Sequence, residues 1–304
     1  MQRKVGSTRT LFAFAIVTAT VASPAEAKTF AEMFPGVELK TEAQRKAVEG
    51  MDFQQGVVKL GAGGVKFDVP PKFYFLGPAD ARKVLLEIWG NPPANGQDVL
   101  GMVMPAIKMP VEDTWGAVVR FDADGYVSDE EANKIDYADL LKTMQQQIED
   151  ANDARVKAGF GNLKLVGWAS QPYYDDKAKK LHWAKELEFN GRSDHTLNYD
   201  VRALGRSGVL KMNFVARMDE LPVIRGAIPD VMEMVQFEQG SRYSDFIPGA
   251  DKVAAYGIGG LIAGKLAAKV GLLAGLLLFL KKGWIVVALM LGGIGKVVGR
   301  WFKK

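Results

Sequence analysis

Asp122, Asp124, Ser128 and Glu131 stand at the third, fifth, ninth and twelfth positions of a calcium loop when Gly125 is taken as its sixth residue. That spacing would gather oxygen ligands around a hard cation. The first position then falls on Arg120, a cation where a carboxylate is required, and the segment before it has strand rather than helix character. The stretch is therefore read as a tight turn at Asp124-Gly125. His182 and His195 are the only histidines, and a zinc centre would need both with a carboxylate such as Asp175 or Asp194. They form no i, i+4 pair, and His182 lies inside a strand pattern, so they read as ordinary sheet-face histidines. With no cysteine, and neither a G-x-S-x-G elbow nor a serine with a spaced partner, triad-type catalysis has few parts. No cofactor is expected.

Gly259 to Lys265 has the glycine and lysine spacing of a phosphate loop, but Leu266 occupies the place of the Ser or Thr that meets magnesium. Small residues four apart (Gly260, Gly264, Ala268) suit close helix contacts in lipid better. Glu186, Glu188, Arg202 and Arg206 bring opposite charges to neighbouring strands, which predicts cross-strand ion pairs on a solvated sheet face. The sharper candidate is a recognition face of His182, Trp183, Glu186, Tyr199, Arg202 and Arg206, with Trp183, Tyr199 and Arg202 lining a groove.

The elements that must position these residues follow from periodicity. Alternation around Gly61-Ala62-Gly63-Gly64 predicts a hairpin, and Phe73-Tyr74-Phe75 a short aromatic strand. Ala81, Val84, Leu85 and Ile88 share a helix face after Pro78. Strands are expected over 99–104 and 115–121. A long helix follows over 137–156, capped by Asp136 and ended by Gly159. Four strands come next, over 164–169, 180–189, 197–204 and 209–216, and then a last helix that Pro229 is expected to split. Hairpins of strands with helices between their runs predict an α+β fold, an antiparallel sheet covered by helices.

The net charge of +4 is segregated. Residues 1–27 carry +2, residues 28–252 carry −6, and residues 253–304 carry +8 with no acid among them. An acidic body excludes a nucleic-acid face, which would need clustered cations. Arg3, Lys4 and Arg9, the apolar run 11–21, and Ser23-Pro24-Ala25-Glu26-Ala27 have the three parts of a signal peptide cleaved after Ala27. At the other end, residues 254–280 would reach about 40 Å as a helix at ~1.5 Å per residue, enough to span a bilayer. Lys265 and Lys269 fall inside that stretch and, four apart, share one polar face. The chain is thus expected to comprise a signal peptide (1–27), an exported α+β domain (28–252) and a C-terminal transmembrane anchor with a basic tail (253–304). Its first partner is the lipid bilayer.

The strings Gly167-Trp168, Pro172-Tyr173, His182-Trp183-Ala184-Lys185-Glu186-Leu187, Asn198-Tyr199, Gly205-Arg206, Gly208-Val209-Leu210, Arg242-Tyr243, Asp245-Phe246 and Asp251-Lys252-Val253-Ala254-Ala255-Tyr256-Gly257 closely resemble a bacterial family, the membrane-anchored domain-of-unknown-function family 2167. The resemblance implies an exported body on the periplasmic side of the inner membrane, and no activity. The element order also looks like the PsbP/Mog1-type sandwich. The functional expectation is a non-enzymatic binding or accessory module of the bacterial envelope, with an envelope or membrane protein as partner. Two alternatives stand beside it: a membrane-tethered hydrolase or metal-dependent enzyme around His182, and an accessory subunit of a transporter that pairs through Lys265 and Lys269.

Overall fold

The computed structural model describes residues 25–91 and 93–264. The expected signal peptide up to residue 24, the tail from residue 265 onward, and with it Lys265 and Lys269, lie outside the described residues. In chain order the elements are β1 (Glu26–Lys28), α1 (Phe30–Met33), α2 (Glu42–Val48), β2 (Phe53–Lys59), β3 (Val65–Val69), β4 (Phe73–Leu76) and α3 (Pro78–Lys83). Then come β5 (Gly101–Pro105), β6 (Gly116–Asp122), α4 (Tyr137–Lys157), β7 (Leu163–Asp175), β8 (Lys180–Phe189), β9 (Thr196–Leu204), β10 (Val209–Arg217), α5 (Leu221–Met234), β11 (Val235–Phe237) and α6 (Ile258–Ala263). The strands form one sheet in the order β11-β3-β2-β4-β5-β6-β10-β9-β8-β7, with β1 paired to β2, and every strand pair is antiparallel. The fold is α+β.

Period-two alternation sorts the strand side chains into three apolar clusters. On one face Val103, Ala117, Val119, Tyr199, Val201, Met212 and Phe214 pack with Ile224, Ile228, Val231 and Met234 of α5. The opposite face carries two separate clusters. Phe53, Tyr74, Leu76, Met102, Met104 and Val118 lie with residues of the α1–α3 segment. Leu165, Leu181, Trp183, Leu204 and Val209 lie with Met144 of α4 and with Ile258, Leu261 and Ile262 of α6. Two helical caps therefore share one sheet face, and the strip between them is where a site can form.

Several elements differ from the sequence reading. Pro229 does not split the last helix, which runs unbroken through it. Its ring is on the exposed side, so the missing N–H leaves a solvent-facing carbonyl, while the four buried residues keep the helix on the sheet. The helix after Pro78 closes as a π-turn over Val84–Ile88, where Trp89 N–H bonds Val84 O at 2.9 Å. The strand expected to stop at 169 runs on to Asp175 through several register shifts against β8. The long helix begins as expected, Asp136 accepting from Ala138 N and Asp139 N at 2.9 and 3.1 Å.

At the β9–β10 turn, Gly205 N–H bonds Gly208 O at 2.8 Å. A Cβ at Gly208 would lie 2.1 Å from Asp122 O and 2.8 Å from the Phe121 ring. Gly208→Ala must push backbone apart, and a loss of about 1–3 kcal/mol is expected in urea unfolding. An unchanged midpoint would mean that this turn tolerates a side chain.

Residues 242–257 dock the segment that leads to α6. Tyr126 stacks between Tyr243 and Phe246, with ring centroids 4.4 and 3.8 Å away. Tyr243 Oη donates to Val127 O at 2.9 Å and Tyr256 Oη to Asp124 at 2.5 Å. Tyr126 and the chain at 252–254 exchange backbone bonds of 2.8 Å, and Gly259 N–H reaches Glu131 Oε1 at 3.0 Å. The carboxylates that imitate a calcium loop thus serve this docking, except that Asp122 pairs with Lys211 on the sheet.

Candidate binding cleft

Register places three cations side by side across the sheet, Arg120 of β6 opposite Lys211 of β10, and Lys211 opposite Arg202 of β9. One step along, Asn213 stands opposite Asp200, and Asp200 opposite Trp183 of β8; Asn198 then faces Lys185. All these side chains point to the face that holds the two helical caps, in the strip between them. Like charges directly opposite one another destabilise a sheet unless something compensates them.

Asp200 is the compensating hub, the one buried charged residue among those described. Its Oδ1 accepts from Arg202 Nη2 at 2.8 Å and from Asn213 Nδ2 at 3.0 Å, and its Oδ2 lies 3.1 Å from Lys185 Nζ. Burial alone would raise the Asp200 carboxyl, but Lys185 and Arg202 outweigh it and hold the group below its ordinary value. Asn198 and Asn213 exchange amide hydrogen bonds of 3.3 and 3.1 Å. Lys211 Nζ pairs with Asp122 Oδ1 at 2.8 Å. Arg120 donates to the carbonyls of Gln97 and Asn95, and burial pushes its guanidinium below the usual value. Four cations against Asp200, Asp122 and the more distant Asp98, whose field also reaches Arg120, leave the strip basic.

At its β8 end the strip opens into a cleft of about 390 Å³. The sheet supplies a polar floor of Lys185, Asn198, Asp200 and Arg202 beside Trp183, whereas Met144 and Ile148 of α4 and Leu261 and Ile262 of α6 supply an apolar wall. Arg202 stacks over the Trp183 ring, 4.9 Å from its centroid. Trp183 is 1% exposed, and its indole N–H has no acceptor among the described residues. A buried donor left so costs ~1–3 kcal/mol. A larger hollow of about 660 Å³ lies at the β1–β3 edge, but its lining carries the acids Glu26, Asp68, Asp230 and Glu233 against Lys28 and Lys72 and holds no aromatic ring.

The expected recognition face is therefore divided, because neighbouring strand residues point to opposite sides. Trp183 and Arg202 meet in the cleft. His182 and Tyr199 meet on the other face, Tyr199 Oη and His182 Nδ1 being 3.0 Å apart, with the Tyr173 ring 5.3 Å from the imidazole. Glu186 pairs with His195 at 2.5 Å, and Arg206 makes a two-pronged pair with Asp251 at 2.7 and 2.8 Å. The expected Glu–Arg pairs between strands do not form: Glu186 and Glu188 point away from Arg202 and share His195 instead, at 2.5 and 3.8 Å. Asp175 caps the β7–β8 turn and Asp194 pairs with Arg192. Sequence reasoning missed Asp200, Lys185, Asn198, Asn213, Lys211 and Arg120. The alternating polar series Asn198, Asp200, Arg202 beside Lys211 and Asn213 is the signal that would have found them.

Burial and Arg225 hold His182 below the ordinary imidazole value, against Asp175. The unfolded chain then takes up this proton more readily than the folded one. The stability contributed by neutral His182 is complete above about pH 6.5 and declines as pH falls below it. Urea midpoints should fall between pH 7 and pH 5.5, and less steeply in His182→Gln; equal slopes would contradict this.

An antiparallel α+β domain with a basic strip between two helical caps is the class that this geometry defines. Residues 52–292 match the family described as protein of unknown function (DUF2167), and the chain belongs to that family. Among solved structures the chain is similar to cyanobacterial PsbP (CyanoP) from Synechocystis sp. PCC 6803. The identity is 11%, covering 60% of this chain and 91% of that one, with a TM-score of 0.34. No curated protein matches.

Proposed function

We propose that the chain is a membrane-tethered binding module of the bacterial envelope, non-enzymatic, with its folded domain on the periplasmic side of the inner membrane. One observation carries the reading. The segment docked through Tyr243 and Tyr256 ends in α6, Leu261 and Ile262 of α6 form a wall of the cleft, and the basic apolar tail starts directly after Gly264. A tail inserted in lipid would thus hold the cleft at the bilayer surface. The +8 charge of residues 253–304 suits an anionic membrane, and the −6 body would stay clear of it except at the basic strip. Among the described residues no helix is long and apolar enough to cross a membrane, so the reading rests on the tail sequence.

Fractionation of the full chain tests it. The protein should remain in the inner-membrane pellet through an alkaline carbonate wash, and added protease should remove its body in spheroplasts but not in intact cells. Release by carbonate, or a body protected in spheroplasts, would overturn the reading.

A further inference from the structure

We infer that the cleft between α4, α6 and β8 takes one anionic phospholipid, its phosphate against Lys185 and Arg202 and its chains along Met144, Ile148 and Leu261. The inference deepens the membrane-tethered reading and rests on it. Three observations carry it. The cleft is two-sided, with a charged floor on the sheet and an apolar wall on the helices, which matches an amphiphile rather than a bare ion or a sugar. Its charges are unequal, since two cations share the single Asp200 carboxylate, so a further anion is accommodated electrostatically. Trp183, 1% exposed at the floor, has an indole N–H without an acceptor among the described residues, and the oxygen-rich head of a phospholipid supplies acceptors.

The position of the mouth selects a lipid over a soluble phosphate. Gly264 lies on the cleft rim, and the next residues are the apolar, basic stretch that reads as the anchor. Lipid chains leaving the cleft at Gly264 would do so where the anchor sequence begins. At about 390 Å³ the cleft suits a headgroup and the upper part of the chains, the remainder staying in the membrane.

Native mass spectrometry of the full chain in a neutral detergent tests the inference, with dihexanoyl-phosphatidylglycerol, dihexanoyl-phosphatidylcholine and inorganic phosphate as separate probes. The expected result is one phosphatidylglycerol retained, bound about tenfold more tightly than phosphatidylcholine. Lys185→Gln should lower phosphatidylglycerol binding about tenfold and leave phosphatidylcholine unchanged. Ile148→Trp, which fills the apolar wall and keeps every charge, should weaken both lipids. Equal binding of the two lipids would overturn the inference. So would inorganic phosphate binding as tightly as phosphatidylglycerol, or both variants binding like the parent, which would assign the lipid to the basic tail or leave the wall to another segment of this chain. Carbonate-resistant membrane association should persist in both variants, so loss of the tether and loss of the lipid site are read separately.

Discussion

Asp200→Ala is expected to cost about 3–5 kcal/mol of folding stability, because it leaves Lys185 and Arg202 at the floor of the cleft without their shared carboxylate. The size follows from burial. Ion pairs in solvent, such as that between Arg217 and Asp219, contribute about 0–1 kcal/mol, because water already solvates both partners. Asp200 is 3% exposed and Arg202 sits against the Trp183 ring, so water from the cleft replaces only part of what the substitution removes. The same geometry gives a pH dependence. The folded-state carboxyl is held below its ordinary value, so its contribution is complete above about pH 4 and is lost as pH falls through the folded value. Urea unfolding at pH 4.5 and pH 2.5 should show the parent losing stability on acidification and Asp200→Ala losing less. A midpoint change at pH 7 worth under about 1 kcal/mol would mean that Asp200 is not the hub described.

Trp183→Ala should cost about as much, ~3–5 kcal/mol, for a different reason. Trp183 is among the largest fully buried side chains, and it belongs to the cluster that joins Leu165, Leu181, Leu204 and Val209 of the sheet to Met144 of α4 and Leu261 and Ile262 of α6. Its removal leaves a cavity in the cluster that holds α4 and α6 on the sheet, and it takes away the surface on which Arg202 stacks. Trp183→Phe keeps most of the apolar area and deletes the N–H that has no acceptor. It should therefore cost less, about 1–3 kcal/mol, because the cavity left is smaller. Urea midpoints for the two variants measure the difference. Equal losses would show that the indole N–H, rather than the ring, matters at this position.

The backbone plan was legible in the chain because its signals are local. Asp136 and Gly159 bound the long helix as capping chemistry requires, and the hairpins of β7 to β10 follow their alternation and turn residues. What was not legible depended on tertiary packing. Pro229 reads as a break, yet the apolar series Ile224, Ile228, Val231 and Met234 outweighs one missing hydrogen bond on the solvent side. β1 and β11 are three residues each, too short to show alternation. The site was half visible. Trp183 and Arg202 were chosen for their chemistry and do meet, but His182 and Tyr199 were grouped with them although strand parity sends adjacent residues to opposite faces. Asp200 was missed because an acid in a strand reads as solvent-facing until α4 and α6 are known to flank that strip.

Hydrogen–deuterium exchange on the full chain, compared between nanodiscs of phosphatidylglycerol and of phosphatidylcholine, tests most directly whether this strip is the working face. The account predicts added protection in phosphatidylglycerol confined to residues 144–148, 183–187, 198–202 and 258–263, with the His182–Tyr173 face and the β1–β3 edge unchanged. Identical exchange of those four segments in the two lipids, or protection that appears instead at the β1–β3 edge, would contradict it.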